Sequence, residues 1–142
     1  MKNWLLLIGT FICLAIYGCS KDEVSSDDSQ AQDEPRYYVK YEVYMPLGSG
    51  FESSTTRKIT FVSENGKQSL DITESSWEAI YGPLKKGTEL YLGVVAVSGG
   101  IRNNVEYYVR LSVSRDKEPF VLKGEDRGTS VSSLYTSYKI DF

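Results

Sequence analysis

The sequence predicts an all-β domain, an antiparallel β-sandwich of seven or eight strands over residues 36–142. Apolar and polar residues alternate with a period of two almost throughout this region, which is the pattern of half-buried strands. Turn-forming residues separate the alternating runs at the spacing of short strands. No run has the 3.6-residue period of an amphipathic helix. A small closed barrel fits the same pattern and stays open as the alternative.

Residues 1–18 precede the strands and have the composition of a signal peptide. Lys2 is followed by the uncharged apolar run of residues 5–18, which is shorter than the roughly 20 residues of a membrane span. Gly18 stands directly before Cys19, and this junction resembles a bacterial lipobox. That resemblance implies cleavage before Cys19, acylation of its thiol and attachment to membrane lipid. Ordinary cleavage nearby, with Cys19 incidental, is the alternative.

Residues 19–35 carry the predicted lipidated cysteine and a flexible acidic tether. After Cys19 this segment has six acidic residues, one lysine and almost no apolar side chains, so it cannot bury enough surface to fold. A flexible chain of this length reaches about 20–25 Å. Lys21-Asp22-Glu23 resembles the export signal of Bacteroidota-type surface lipoproteins. The resemblance implies a lipid-anchored protein of the outer membrane that faces the cell exterior.

A first strand is followed by a β-hairpin, which the next two strands form. Tyr37, Val39, Tyr41, Val43 and Met45 share one parity and are predicted to face the core. Asn65-Gly66 is typical of a type I′ two-residue turn. A turn there predicts this register: Glu64 opposite Lys67, Phe61 opposite Leu70, Ile59 opposite Ile72, and Thr60 opposite Asp71.

The later strands follow from the same alternation. A strand with Trp77, Ala79 and Tyr81 inward is expected to end at Gly82-Pro83. Residues 88–97 are apolar at both parities, which predicts a central strand covered on both faces. The next predicted strand has Val105, Tyr107, Val109, Leu111 and Val113 facing the core. A short strand at residues 120–122, a turn at residues 124–128 and a last strand from Leu134 to Phe142 are expected to follow.

The order of several short motifs resembles the small membrane-associated transport-accessory proteins called MmpS and their lipoprotein relatives. The motifs are Val39-Lys40-Tyr41-Glu42-Val43, Ile59-Thr60-Phe61, Trp77, and Arg110-Leu111-Ser112-Val113. The resemblance implies an Ig-like sandwich. Val109 stands where the family pattern has a cysteine, and a lipobox replaces the family's spanning helix. The resemblance therefore supports the fold more than it supports transport, and it assigns no functional residues.

Composition argues against most catalytic and cofactor chemistry. The chain has no histidine and two cysteines, which excludes His-dependent catalysis and His-containing zinc sites. Its net charge of −3 disfavours nucleic-acid binding. The acidic residues of the predicted strands are isolated on outward positions or near turns, so a carboxylate-based hydrolase is only a remote third hypothesis. We expect no enzyme activity, no cofactor and no bound metal.

Tyrosine is the one residue in clear excess, with 11 copies. Parity predicts that Tyr37, Tyr41 and Tyr107 pack in the core, and that Tyr38, Tyr44, Tyr108 and Tyr135 point outward. The leading hypothesis is a non-enzymatic surface lipoprotein that serves as an accessory or binding subunit for another cell-envelope protein. The alternative is a glycan-binding module that uses Tyr38 and Tyr108 with Asn103 and Asn104.

Overall fold

The computed structural model describes residues 34–46, 55–98, 100 and 102–142. The predicted signal peptide, Cys19 and all of the tether up to residue 33 lie outside these residues. The described residues form eight β-strands: β1 Tyr37–Tyr44, β2 Arg57–Ser63, β3 Gly66–Ile72, β4 Ser76–Leu84, β5 Glu89–Ala96, β6 Glu106–Arg115, β7 Val121–Thr129 and β8 Ser133–Lys139.

The strands form two four-strand antiparallel sheets that pack face to face. Sheet 1 has the order β4-β1-β6-β7, and sheet 2 has the order β3-β2-β5-β8. This arrangement confirms the predicted all-β sandwich, with the larger of the two expected strand counts. The chain forms two separate sheets rather than the alternative closed barrel, so β4, β7, β3 and β8 are edge strands.

The core lies between the sheets and contains the side chains that period-two alternation predicts. β1 and β6 each bury alternate residues, including Tyr41 and Tyr107, and both of these rings are fully buried. Their hydroxyls are satisfied because Tyr41 donates to the carbonyl of Val62 at 2.7 Å and Tyr107 donates to that of Arg102 at 2.7 Å. Burial raises the pKa of Tyr41. These tyrosines are structural, as predicted.

The β2–β3 hairpin forms, but its predicted register is wrong by two residues. Glu64 and Asn65 are the turn residues, and Leu70, for example, lies opposite Ile59. A type I′ turn needs a positive φ at both central positions. Only Gly66 has one, at 90°, which fits a tight turn followed by a left-handed glycine. A shift of two keeps every side chain on its predicted face.

The predicted break at Gly82-Pro83 is also wrong, because β4 continues through these residues to Leu84. Gly82 and Pro83 together oppose Tyr38, which makes them a β-bulge. Proline is tolerated there because β4 is an edge strand. Gly82 has a φ of 141°, and a Cβ atom on it would lie 2.7 Å from the carbonyl oxygen of Tyr37. Glycine is therefore required by the bulge and does not signal a strand end.

Residues 124–128 were expected to form a turn, but they lie inside β7. Their glycines permit close packing rather than chain reversal. A Cβ atom on Gly124 would lie 2.4 Å from Thr136 Oγ1, and one on Gly128 would lie 2.7 Å from Val131 Cγ1. The register of β6 and β7 shifts just before this segment, where Lys123 is the extra residue.

The prediction for β5 holds in one respect and fails in another. β5 lies inside sheet 2, between β2 and β8, as expected. It is not covered on both faces, because Val95 is 49% exposed. Tyr91 covers the outer side of Gly93, where a Cβ atom would lie 2.5 Å from the tyrosine hydroxyl. Apolar residues on the outer face of this strand, such as Val95, are thus partly exposed to solvent, and no second layer of the protein that the structure describes packs over them.

Candidate functional site

The outer face of sheet 1 carries a pair of stacked tyrosines. β1 and β6 are neighbours, and their register places Tyr44 directly opposite Tyr108. Period-two alternation turns both side chains away from the core, since the residues on either side of each are inward. Their ring centroids lie 5.5 Å apart with an interplanar angle of 28°. Such a cross-strand aromatic pair stabilises the sheet and fixes the orientation of both rings.

Charged residues extend this pair across β6 and β7. The guanidinium of Arg110 lies 4.2 Å from the ring centroid of Tyr108. Arg110 also donates to Glu125, and Arg127 bridges Glu125 and Glu106 with N–O distances of 2.8 Å to each. We call this set the tyrosine–arginine ladder, and its members are Tyr44, Glu106, Tyr108, Arg110, Glu125 and Arg127.

The ladder is electrostatically self-consistent. Hydrogen bonds from Arg127 and then Arg110 lower the pKa of Glu125. The Glu125 carboxylate in turn raises the pKa of Arg110 and, together with Glu106, that of Arg127. These shifts favour the charged forms of Glu125, Arg110 and Arg127.

Within the ladder, Tyr44 and Tyr108 are both partly buried. Tyr108 is contacted by Tyr44 on one strand and by Arg110 on its own strand. On the other side of Tyr44, the opposing residue in β4 is Ser76, whose side chain is too short to cover a tyrosine ring.

The structure brings together only part of the site predicted from the sequence. Tyr38 and Tyr108 share the outer face of sheet 1, but Tyr38 lies opposite Ser114. It is six residues from Tyr44 along β1, which is about 20 Å at the usual rise per residue. Tyr38 and Tyr108 therefore do not stack on each other, and their joint contact with one glycan chain or one partner protein stays a prediction.

The two predicted asparagines are exposed in the turn before β6. Asn104 adopts the left-handed region with a φ of 60°, and its backbone N–H donates to Ser130 Oγ at 3.2 Å. Asn103 precedes it in the same turn. Both residues lie at the end of β6 that carries Tyr108, and they remain candidates for contacts at the margin of the ladder.

Tyr44 is the residue that the sequence-based site left out. Its outward parity was predicted, yet no local signal distinguishes it from Tyr38. The difference arises from the pairing of β1 with β6, which places an aromatic partner beside Tyr44 and a serine beside Tyr38. Arg110 was missed because its partner Glu125 is known only from the pairing of β6 with β7. Glu125 and Arg127 were missed because residues 124–128 were expected to form a turn.

The rest of the described surface offers shallow features. One groove of about 320 Å³ is lined by Glu34, Arg36, Tyr38, Asp116 and Lys117. Over residues 34–46, 55–98, 100 and 102–142, no three His, Cys, Asp or Glu side chains are grouped so that they could hold a metal ion. The same residues contain no helix that is long and apolar enough to cross a membrane.

The fold and the ladder define an eight-strand antiparallel β-sandwich domain with an aromatic and charged outer face. No protein-family model matches the chain, and no curated protein matches it in sequence.

Proposed function

We propose that the protein is a non-enzymatic lipoprotein of the outer membrane that faces the cell exterior and binds another envelope protein as an accessory subunit. The observation that carries the binding role is the tyrosine–arginine ladder. The residues before the domain support the anchor, since Cys19 follows a signal-like segment and precedes an acidic tether.

The chemistry of the ladder favours a protein partner. Tyrosine and arginine are enriched at protein interfaces and supply much of the binding energy there. The ladder lies on the face of a sheet, whereas small-molecule sites are typically concave. Its salt bridges are partly exposed, with side-chain exposures of 31% for Arg110 and 22% for Glu125. A partner that covers them would shield them from water and strengthen them.

Site-specific crosslinking in intact cells tests this proposal. A photoreactive amino acid at position 44 should give one discrete crosslinked envelope protein. The same amino acid at position 135 is the matched control, because Tyr135 is also an outward tyrosine but lies in sheet 2. Arg110→Ala should lower the yield at position 44, and Lys58→Ala on sheet 2 should not. Equal products at positions 44 and 135 would contradict the proposal.

One observation favours the alternative function, a glycan-binding module. Tyr44 is partly exposed and lies opposite the short side chain of Ser76 in β4, and sugar rings stack on exposed aromatic faces. On this alternative, Tyr44→Ala should abolish glycan binding measured by calorimetry. Tyr38→Ala should leave it unchanged, because Tyr38 lies at the other end of the face. Loss of binding on Tyr38→Ala alone would contradict this placement of the glycan.

A further inference from the structure

The end of the sandwich at which the chain enters β1 is built around the first described residues. The backbone N–H of Arg36 donates to Asp116 Oδ1 at 2.9 Å, and the backbone N–H of Asp116 donates to the Arg36 carbonyl at 2.7 Å. These bonds tie the entering chain to the β6–β7 turn. We call this region the entry end. Tyr44 lies at the other end of β1, roughly 23 Å away at the usual rise per residue.

Three consecutive apolar residues are exposed at the entry end. Phe120, Val121 and Leu122 are 38%, 53% and 50% exposed, and they follow directly after the β6–β7 turn. Val121 and Leu122 begin β7 and Phe120 directly precedes it; among the residues that the structure describes, no strand pairs with the outer edge of β7. Val121 lies opposite the inward-facing Val113, so alternation turns Val121 to one face of the sheet and Leu122 to the other, and the exposed apolar side chains surround the sheet edge.

Lysines accompany these apolar residues at the entry end. Lys85, Lys86 and Lys117 are exposed, and none of them forms an ion pair with another residue that the structure describes. Lysine can lay its aliphatic stem on an apolar surface and keep its amine in water. Glu34 and Glu118 lie at the same end, so the surface is only weakly cationic and its apolar residues dominate.

We infer that the entry end docks on the surface of the lipid bilayer, with Phe120, Val121 and Leu122 at the depth of the head groups. This inference rests on the proposed acylation of Cys19. The flexible tether that the sequence predicts between Cys19 and Arg36 has 16 residues and would span about 20–25 Å, so the anchor would hold the entry end close to lipid. At the effective concentration of a short tether, on the order of millimolar, even weak docking is populated.

Apolar side chains flanked by lysine amines match the chemistry of a bilayer interface, where acyl chains and phosphates lie next to each other. Docking at the entry end would also direct the Tyr44 end of the domain away from the membrane. The tyrosine–arginine ladder would then be presented to a partner in a fixed orientation, instead of moving freely on the tether.

Fluorescence of the full-length lipidated protein in vesicles tests the inference. A single cysteine, introduced as Val121→Cys, is labelled with an environment-sensitive dye, since Cys13 has been removed with the signal peptide and Cys19 is acylated. Val97→Cys is the matched control. Val97 is 60% exposed, and it follows the last residue of β5, whereas Lys85 and Lys86 of the entry end precede the first. The vesicles contain either phosphatidylcholine alone or phosphatidylcholine with phosphatidylglycerol.

We expect the dye at position 121 to shift to the blue and to be quenched by lipids that carry a quencher within the bilayer, whereas the dye at position 97 stays in water. Equal spectra at both positions would overturn the inference. So would a shift that depends on the protein-to-lipid ratio, because it would mean that a second copy covers the patch. Flotation of the protein with the vesicles reports separately on the anchor. A protein that fails to float refutes the proposed acylation, whereas one that floats without the shift refutes only the docking.

Discussion

Replacing Gly128 with alanine tests whether this glycine serves close packing or a turn. A Cβ atom on Gly128 would lie 2.7 Å from Cγ1 and 2.9 Å from Cγ2 of Val131. Rotation of Val131 about χ1 cannot relieve both contacts, since its two methyl groups occupy two of the three staggered positions. The chain must shift instead, and such overpacking costs about 1–3 kcal/mol.

The sign of the effect separates the two interpretations. In an open turn without a positive φ, Gly→Ala stabilises a protein by about 0.4–1 kcal/mol because it restricts the unfolded chain. We expect Gly128→Ala to lower the free energy of unfolding instead. Each kcal/mol lowers the melting temperature of a domain of this size by about 4–8 °C. Urea unfolding followed by the fluorescence of Trp77, which packs against Phe61 in the interior, measures the change.

A double-mutant cycle identifies the atoms responsible. Val131→Ala removes both methyl groups that would meet the new Cβ atom, so Gly128→Ala should cost much less in that background. Coupling of about 1–2 kcal/mol is expected for residues in direct contact. A Gly128→Ala protein as stable as the wild type, or one whose loss persists in the Val131→Ala background, would refute the close-packing explanation.

Three further changes test other parts of the fold. Tyr41→Phe removes the hydrogen bond to the carbonyl of Val62 and should cost about 1 kcal/mol in urea unfolding; an unchanged midpoint would contradict a satisfied core hydroxyl. Gly82→Ala should be costlier than Gly128→Ala, because φ is 141° and the new Cβ would meet a backbone carbonyl at 2.7 Å; thermal melts of both variants rank them. Glu125→Gln should lower stability near neutral pH by less than about 1 kcal/mol, since the pair with Arg127 is partly exposed. The pKa of Glu125 is lowered in the folded protein, so this difference should be full above the ordinary carboxyl pKa and vanish as the pH falls through the folded value; melts across the acid range test the sign.

Much of the fold is predictable because parity is a local property. The inward positions of β1 and β6 follow from alternation alone, and each buried residue from Tyr37 to Val43 was assigned correctly. The β2–β3 hairpin kept its faces even though its register was wrong. A register shift of two residues leaves the same side chains facing the core, so the apolar pattern cannot distinguish the predicted register from the observed one.

Glycine was the residue that sequence reasoning misread most often. Gly82, Gly124 and Gly128 were each taken as part of a break or a turn, whereas all three lie inside strands. A glycine that permits a bulge and one that admits a neighbouring side chain look identical in the sequence. The neighbour is decisive, and it belongs to β1 for Gly82, to β8 for Gly124 and to the β7–β8 connection for Gly128.

The candidate site depended on the same non-local information. Tyr38, Tyr44 and Tyr135 are all outward, and nothing in their local sequence ranks them. Strand pairing separates them, since it gives Tyr44 an aromatic partner, Tyr38 a serine and Tyr135 a glycine. The proposed binding of a partner protein by the tyrosine–arginine ladder would therefore depend on the register between β1 and β6 as much as on the side chains. Tyr44→Phe preserves the ring and should preserve binding of the proposed partner protein. Moving the tyrosine to position 42 (Tyr44→Ser with Glu42→Tyr) keeps an outward tyrosine but places it opposite Arg110 rather than Tyr108. This double variant should lose binding of the partner protein.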